Sequence, residues 1–199
     1  MSVKSSRKNL IVIFAWFFIP LFFAFIWYKL LPEGYRPNNT TNNGDILESI
    51  FTLDDFSHQD VSGIRFSNVD VEKVWTLLQF VNGSCDEACS RSLYDTRQLR
   101  VALGKDIKRL NRVVILDADT PADINQKMWA SHPDLRVLIG SDNGMEKQVR
   151  RQVKELEIGE NSLFLVDPLG NVMMHFSSKL TPKEIKSDIR KLFKLSQID

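Results

Sequence analysis

The feature that most constrains this chain is a run of nineteen uncharged, almost wholly apolar residues, Leu10 to Tyr28. At 1.5 Å per residue, a helix over that run rises about 28 Å, close to the hydrocarbon thickness of a bilayer. Trp27 and Tyr28 stand at its C-terminal edge, where aromatic rings favour the membrane interface. Pro20 lies inside the run, which membrane helices tolerate. A cleavable signal would have a shorter apolar region followed by small residues. Here Phe25, Ile26, Trp27 and Tyr28 occupy that place, so the expectation is a retained single-pass anchor held in lipid through residues 10–28. Lys4, Arg7 and Lys8 precede the span, while Lys29 and Arg36, partly offset by Glu33, follow it. The positive-inside rule therefore keeps the short N-terminus cytoplasmic and exports the rest. A bacterial inner membrane with a periplasmic domain is expected. A mitochondrial inner membrane is the alternative, disfavoured because Met1 to Asn9 is too short for a convincing transit peptide.

Leu31 to Gly44, LPEGYRPNNTTNNG, reads as a linker rich in Pro, Asn, Thr and Gly. The expected organisation is a cytoplasmic tip and anchor over 1–31, a linker over 32–45 and one folded domain over 46–199. With 26 basic and 25 acidic residues, the chain shows no electrostatic footprint for nucleic acid. At 43% apolar residues it carries enough hydrophobic material for a real core.

Within the exported part, Val74 to Val81 suits a strand buried on both faces, ending at the turn Asn82-Gly83. Ser84-Cys85-Asp86-Glu87 fits a capping box with Ser84 as N-cap, and the helix behind it is expected to reach about Leu103, stopped by Gly104. Leu93, Leu99 and Leu103 supply its apolar face. Arg112 to Asp117 is a second buried strand, and Asp119-Thr120-Pro121 opens another helix. A short strand over Arg136 to Ile139 and a charged helix over Ser141 to Leu156 follow. Ser162 to Val166 and Val172 to Phe176 form a hairpin around Asp167-Pro168-Leu169-Gly170-Asn171. Thr181-Pro182-Lys183-Glu184 starts a last helix running to about Leu195. This strand–helix alternation is an α/β pattern.

The chain has two cysteines, Cys85 and Cys89, and they are its most specific chemical feature. Placed four apart on a helix, their Cβ atoms would stand about 5–6 Å apart. A relaxed disulfide wants about 3.8 Å, so bridging them requires the first turn to distort. Two thiolates on one metal need sulfurs only about 4 Å apart, given bonds near 2.3 Å. Spacing alone leaves metal binding and a disulfide both open. A helix N-terminus favours the thiolate, whereas Asp86 and Glu87 oppose it and suit a bound cation. Soft sulfur ligands select Cu(I), zinc or iron–sulfur clusters.

Taken together, the strand, the C-x3-C at a helix start, Asp119-Thr120-Pro121 and the Asp167-Pro168-Leu169-Gly170 hairpin resemble the Sco/SenC family over roughly residues 44 to 195. The resemblance implies a thioredoxin-like domain behind a transmembrane helix, delivery of copper in cytochrome c oxidase assembly, and Cys85 and Cys89 as copper-binding residues. It also implies a third ligand, a histidine shortly before the penultimate strand. Here that region reads Ile158-Gly159-Glu160-Asn161-Ser162, without a histidine.

Other residues are weaker candidates. His175, preceded by Met173 and Met174, could offer copper a soft site, although a histidine satisfied within a strand is the simpler reading. Glu160 is a hard donor and a poor substitute for Cu(I). Asp117 and Asp119 read as helix-capping residues. His132-Pro133 reads as a turn, and His58 falls in a loop. Arg150, Arg151, Lys154 and Glu155 read as a solvated helix face. Lys183, Lys186, Arg190, Lys191 and Lys194 also default to a solvated face, though one able to approach anionic headgroups.

The leading expectation is an oxidase assembly factor that binds copper, or keeps copper-site thiols reduced, through Cys85 and Cys89. Its partner would be an oxidase subunit or another assembly factor. The rivals are a membrane-tethered thiol–disulfide oxidoreductase, with Cys85 attacking and Cys89 resolving, and a scaffold without chemistry of its own.

Overall fold

The computed structural model describes residues 3–30, 41–117, 120, 126–141, 144–153 and 161–196. Two compact units emerge, Met1–Thr41 and Asn42–Asp199. In the first, helix α1 spans Val3–Leu30 and carries Pro20 without ending there. Its Asn9–Leu30 stretch is long and apolar enough to cross a membrane, which fits a single-pass membrane protein. Most of the expected linker, residues 31–40, lies outside the described residues.

The second unit is an eight-stranded mixed sheet in the order β1-β8-β7-β4-β5-β6-β2-β3. Its strands are β1 (Asp45–Thr52), β2 (Ser57–Asp60), β3 (Arg65–Ser67), β4 (Trp75–Val81), β5 (Leu110–Leu116), β6 (Leu135–Ile139), β7 (Leu163–Val166) and β8 (Asn171–Phe176). The helices are α2 (Asn68–Val71), α3 (Glu87–Val101), α4 (Gln126–Ala130), α5 (Met145–Gln152) and α6 (Pro182–Leu195), with a 3-10 turn over Gly104–Arg109. Strands β4, β5 and β6 run parallel, and β7 joins β4 antiparallel. All seven residues of β4 are buried, as expected of a central strand covered on both faces.

One face of the sheet packs beneath α3 and α6. There Leu77, Leu99, Leu110, Leu165, Ile189 and Phe193 form one apolar cluster, and Val81, Cys89, Leu93, Val114 and Leu116 another. The opposite face carries Leu78, Phe80, Ile115 and Phe164 against Met145 and Val149 of α5. At about 25 cal/mol per Å² of apolar surface removed from water, these clusters are the main source of stability.

The α/β thioredoxin-like architecture expected from the sequence is present, and several boundaries move. Helix α3 is capped by Asp86, not Ser84: its carboxylate accepts from the Cys89 N–H at 2.8 Å. The chain needs Ser84 and Cys85 to complete the turn off β4, so the helix begins later. It also ends at Val101, short of Leu103, before Gly104 adopts φ +64°, where a Cβ would be strained. The expected Ser141–Leu156 helix is shorter, Met145–Gln152, with Gly144 as its N-cap and Val153 as its C-cap. The helix expected to open at Asp119 is represented by α4 alone, and Asp119 and Pro121 also lie outside. The Thr181/Glu184 capping box, with Pro182 in the first turn, starts α6 where the sequence places it. Strands β1 to β3 and helix α2 were not anticipated.

Candidate functional site

Strand β4 runs parallel to β5, and the loop it releases carries both cysteines. The loop turns at Gly83, which adopts φ +69°. The Gly83 N–H donates to Thr120 Oγ1 at 3.1 Å, and the Asp117 N–H donates to the Val81 carbonyl at 3.1 Å. The cysteine loop is thus tied to the loop leaving β5. Cys85 lies half-buried before α3, and Cys89 sits within its first turn, only 3% exposed.

Cys85 and Cys89 are joined in a disulfide, with Cα atoms 5.3 Å apart. The distortion expected of a bridged i,i+4 helical pair is avoided because Cys85 is not helical. The thiol pair therefore exists here in its oxidised form. Cys89 packs with Val81, Leu93, Val114, Leu116 and Trp129, while Cys85 and Met128 border the same cluster. The Ser90 hydroxyl donates to Met128 Sδ at 3.2 Å. Sequence reasoning passed over Met128, because nothing in a short helix far along the chain marks it as a neighbour of Ser90.

Asn161, at φ 64°, precedes β7, and its Oδ1 accepts from Gln79 Nε2 at 3.2 Å. A cavity of about 210 Å³ opens along α3, lined by Ala88, Arg91, Asp95, Asn161, Ser177 and Leu180 among others. A roomier cavity of about 720 Å³ lies at the other end of the parallel strands. Its charges are neutralised locally: Arg112 pairs with Asp134 at 3.0 Å, and Arg136 with Asp60 at 2.8 Å. The cysteine loop is the candidate site.

His175 is not brought to them. It lies on β8, two strands from β4, and pairs in the sheet with Phe164, its ring 5.1 Å from the Phe164 ring. Phe164 belongs to the cluster on the α5 side, so His175 occupies the face opposite Cys89. It is 3% exposed, and its nearest charge is the Asp45 carboxylate, 3.6 Å from Nδ1. Burial lowers its pKa, partly opposed by Asp45. Met174 points into the α6-side cluster instead. Among the described residues no group of three His, Cys, Asp or Glu side chains could hold a metal.

The remaining candidates are structural or outside the described residues. His58, expected in a loop, is buried in β2: Nδ1 lies 2.8 Å from the Ile139 carbonyl, and Nε2 accepts from the Met145 N–H at 3.1 Å. His132 is buried in the turn after α4. Asp117 is exposed, and its carbonyl accepts from the Thr120 N–H at 2.9 Å. Arg150 pairs with Glu146. Lys191 reaches the fully buried Asp188, and Arg190 donates to the Ala102 carbonyl. Glu160, Lys154 and Glu155 lie outside the described residues.

Comparison with curated proteins finds no match. Solved structures share the fold. Copper-bound ScoI of Bradyrhizobium japonicum is 21% identical, with a TM-score of 0.55 over 71% of this chain and 99% of its own. BsSco, described as a Sco-family cytochrome c oxidase assembly protein with a disulfide switch, is 18% identical, with a TM-score of 0.59 over 76% of this chain and 98% of its own. The thioredoxin domain of a thiol-disulfide oxidoreductase from Bacteroides vulgatus is 16% identical, with a TM-score of 0.54 over 71% of this chain and 95% of its own. A family model described as a transmembrane-like, thioredoxin-like, C-terminal domain matches residues 75–196, from the first residue of β4 to the residue after α6. The chain accordingly belongs to that transmembrane-like, thioredoxin-like family.

Proposed function

We propose that this chain is a divergent Sco-like assembly factor for cytochrome c oxidase, anchored by α1 with its domain in the periplasm. It would bind copper as cargo, or keep a partner's copper-site thiols reduced, through Cys85 and Cys89. The observation that carries the reading is the pair itself: two cysteines at the end of a central strand, one accessible and one buried, able to exist as disulfide or dithiol. Copper-bound and redox-switching Sco proteins of the same fold support it.

The residues present fit copper in their donor chemistry. Once reduced, the pair offers two thiolates, and soft sulfur selects Cu(I). The Asp86 cap and the N-terminus of α3 act on the pair in opposite senses, the first favouring a cation and the second a thiolate.

Thiol exchange is favoured by the unequal exposure of the two sulfurs. In that reading the Cys85 thiolate attacks a partner disulfide, and one partner sulfur leaves as thiolate. Cys89 then attacks Cys85, displacing the second partner sulfur. The partner gains two electrons, the Cys85–Cys89 disulfide forms, and a dithiol reductant returns the pair to the reduced state.

The test is anaerobic Cu(I) titration of the reduced full chain in detergent against a competing chelator. Uptake of one copper per chain, abolished by Cys85→Ser, supports the carrier reading. No competitive uptake removes it and leaves thiol exchange, which requires that Cys85→Ser and Cys89→Ser abolish oxidase assembly in cells. An assembly phenotype unchanged in both variants would instead make the chain a scaffold.

A further inference from the structure

We propose that the Met128 thioether is the third Cu(I) donor, completing an all-sulfur site with Cys85 and Cys89; this rests on the copper-carrying reading above. The usual complement to two cysteines in a cation site is another His, Cys, Asp or Glu, and the described residues supply none. The candidate histidine, His175, is buried on the opposite face of the sheet. Met128 stands on the cysteine side. Its sulfur is 3.2 Å from the hydroxyl of Ser90, the residue next to Cys89 in α3. It borders the same apolar cluster as Cys85, a cluster that includes Cys89 itself. All three sulfur-bearing residues therefore belong to or border one apolar cluster on the α3 side of the sheet.

Two separate contacts hold that arrangement together. Ser90 Oγ to Met128 Sδ joins α3 to α4, and Gly83 N to Thr120 Oγ1, at 3.1 Å, joins the cysteine loop to the segment ahead of α4. Neither contact is made by a cysteine sulfur. A three-coordinate site with bonds near 2.3 Å needs sulfurs about 4 Å from one another. Met128 is half-buried and unbranched, and its three rotatable bonds allow that adjustment. A thioether sulfur has two lone pairs, so it can accept from Ser90 with one and bind metal with the other. Thiolate and thioether together match Cu(I) and exclude hard cations. Binding releases the thiol protons of Cys85 and Cys89 and changes no oxidation state.

The experiment compares wild type, Met128→Leu, Met128→His and Cys85→Ser, each as the reduced full chain in detergent. Each receives Cu(I) against a competing chelator, followed by copper-edge X-ray absorption of the loaded protein. Leu conserves volume, so Met128→Leu should keep the wild-type circular dichroism and unfolding midpoint. It should weaken Cu(I) binding about tenfold or more, or 1.4 kcal/mol, and lower the sulfur neighbours of copper from three to two. Met128→His should recover affinity, with nitrogen replacing one sulfur. Wild-type affinity and sulfur count in Met128→Leu, with binding still lost in Cys85→Ser, would overturn the Met128 assignment and leave the carrier reading intact. Absence of uptake by wild type would remove the carrier reading, and this inference with it.

Discussion

The two faces of the central sheet hold comparable apolar cores but opposite kinds of chemistry. On the α5 face, His58 and His175 are both almost wholly buried. His58 spends both ring nitrogens on the backbone, reaching the Ile139 carbonyl and the Met145 N–H. That pattern requires the neutral ring with its proton on Nδ1. On the α3 face, Cys85 stays half-buried outside the helix while Cys89 is sealed beneath it. Hydrogen bonding has thus made His58 a structural element, and the fold places His175 on the far face, whereas the turn ahead of α3 keeps one sulfur available. A residue type that binds metal well in isolation contributes nothing to a site when its ligand atoms are committed, as in His58, or when the sheet separates it from the other donors, as in His175.

The comparison can be broken most sharply at Phe164, which is fully buried and whose ring lies tilted against those of both Phe80 and His175. Phe164→Ala should cost about 3–5 kcal/mol in denaturant unfolding. The rate of thiol exchange at Cys85 in the folded protein should stay unchanged; a changed rate would mean that the two faces are coupled. Reducing the disulfide should have a smaller effect. It closes a loop of sequence separation 4, and the chain-entropy account assigns it about 2 kcal/mol. Loss of the whole fold on reduction would make the pair a structural staple instead of a functional one.

Asp86→Ala should cost about 1 kcal/mol by leaving the Cys89 N–H without its cap, measured by thermal unfolding of the oxidised protein. The gentlest change expected is a slope with pH. Burial lowers the pKa of His58 below 6.5, outweighing the raising effects of the Ile139 carbonyl and Glu146. Burial likewise lowers those of His175 and His132. As pH falls through 6.5, the unfolded chain takes up protons before the native one does, so the stability held above that pH is progressively lost. His58→Gln should flatten part of this slope between pH 7 and 5. An unchanged slope would show that His58 is not held neutral.

Much of this was legible in the chain, for identifiable reasons. Strands β4, β5 and β7 are short apolar runs bounded by turns, and α6 announces itself through Thr181, Pro182 and Glu184. Strands β2 and β3 were not legible, because Ser57–Asp60 and Arg65–Ser67 are polar and short. They are strands because β2 finds the free edge of β6. Asp188 illustrates the same limit. In the linear sequence it stands among charged residues, yet it falls on the Ile185 and Ile189 face of α6 and is fully buried, accepting from the Asn43 and Gly44 N–H groups at 2.7 and 2.9 Å. A carboxylate's use as a clamp for a segment 144 positions away leaves no local trace.

The sequence by itself determined the apolar N-terminal span, the α/β order and the two cysteines at a strand-to-helix junction. Each is written in local periodicity, capping chemistry or spacing, and so needs no knowledge of distant partners. Only the tertiary structure decided where the helix leaves Cys85, which face receives His175, and that Met128 comes to rest against Ser90. Those outcomes depend on which strands pair and how the sheet is pleated, and pairing is a property of the whole chain that no short window contains.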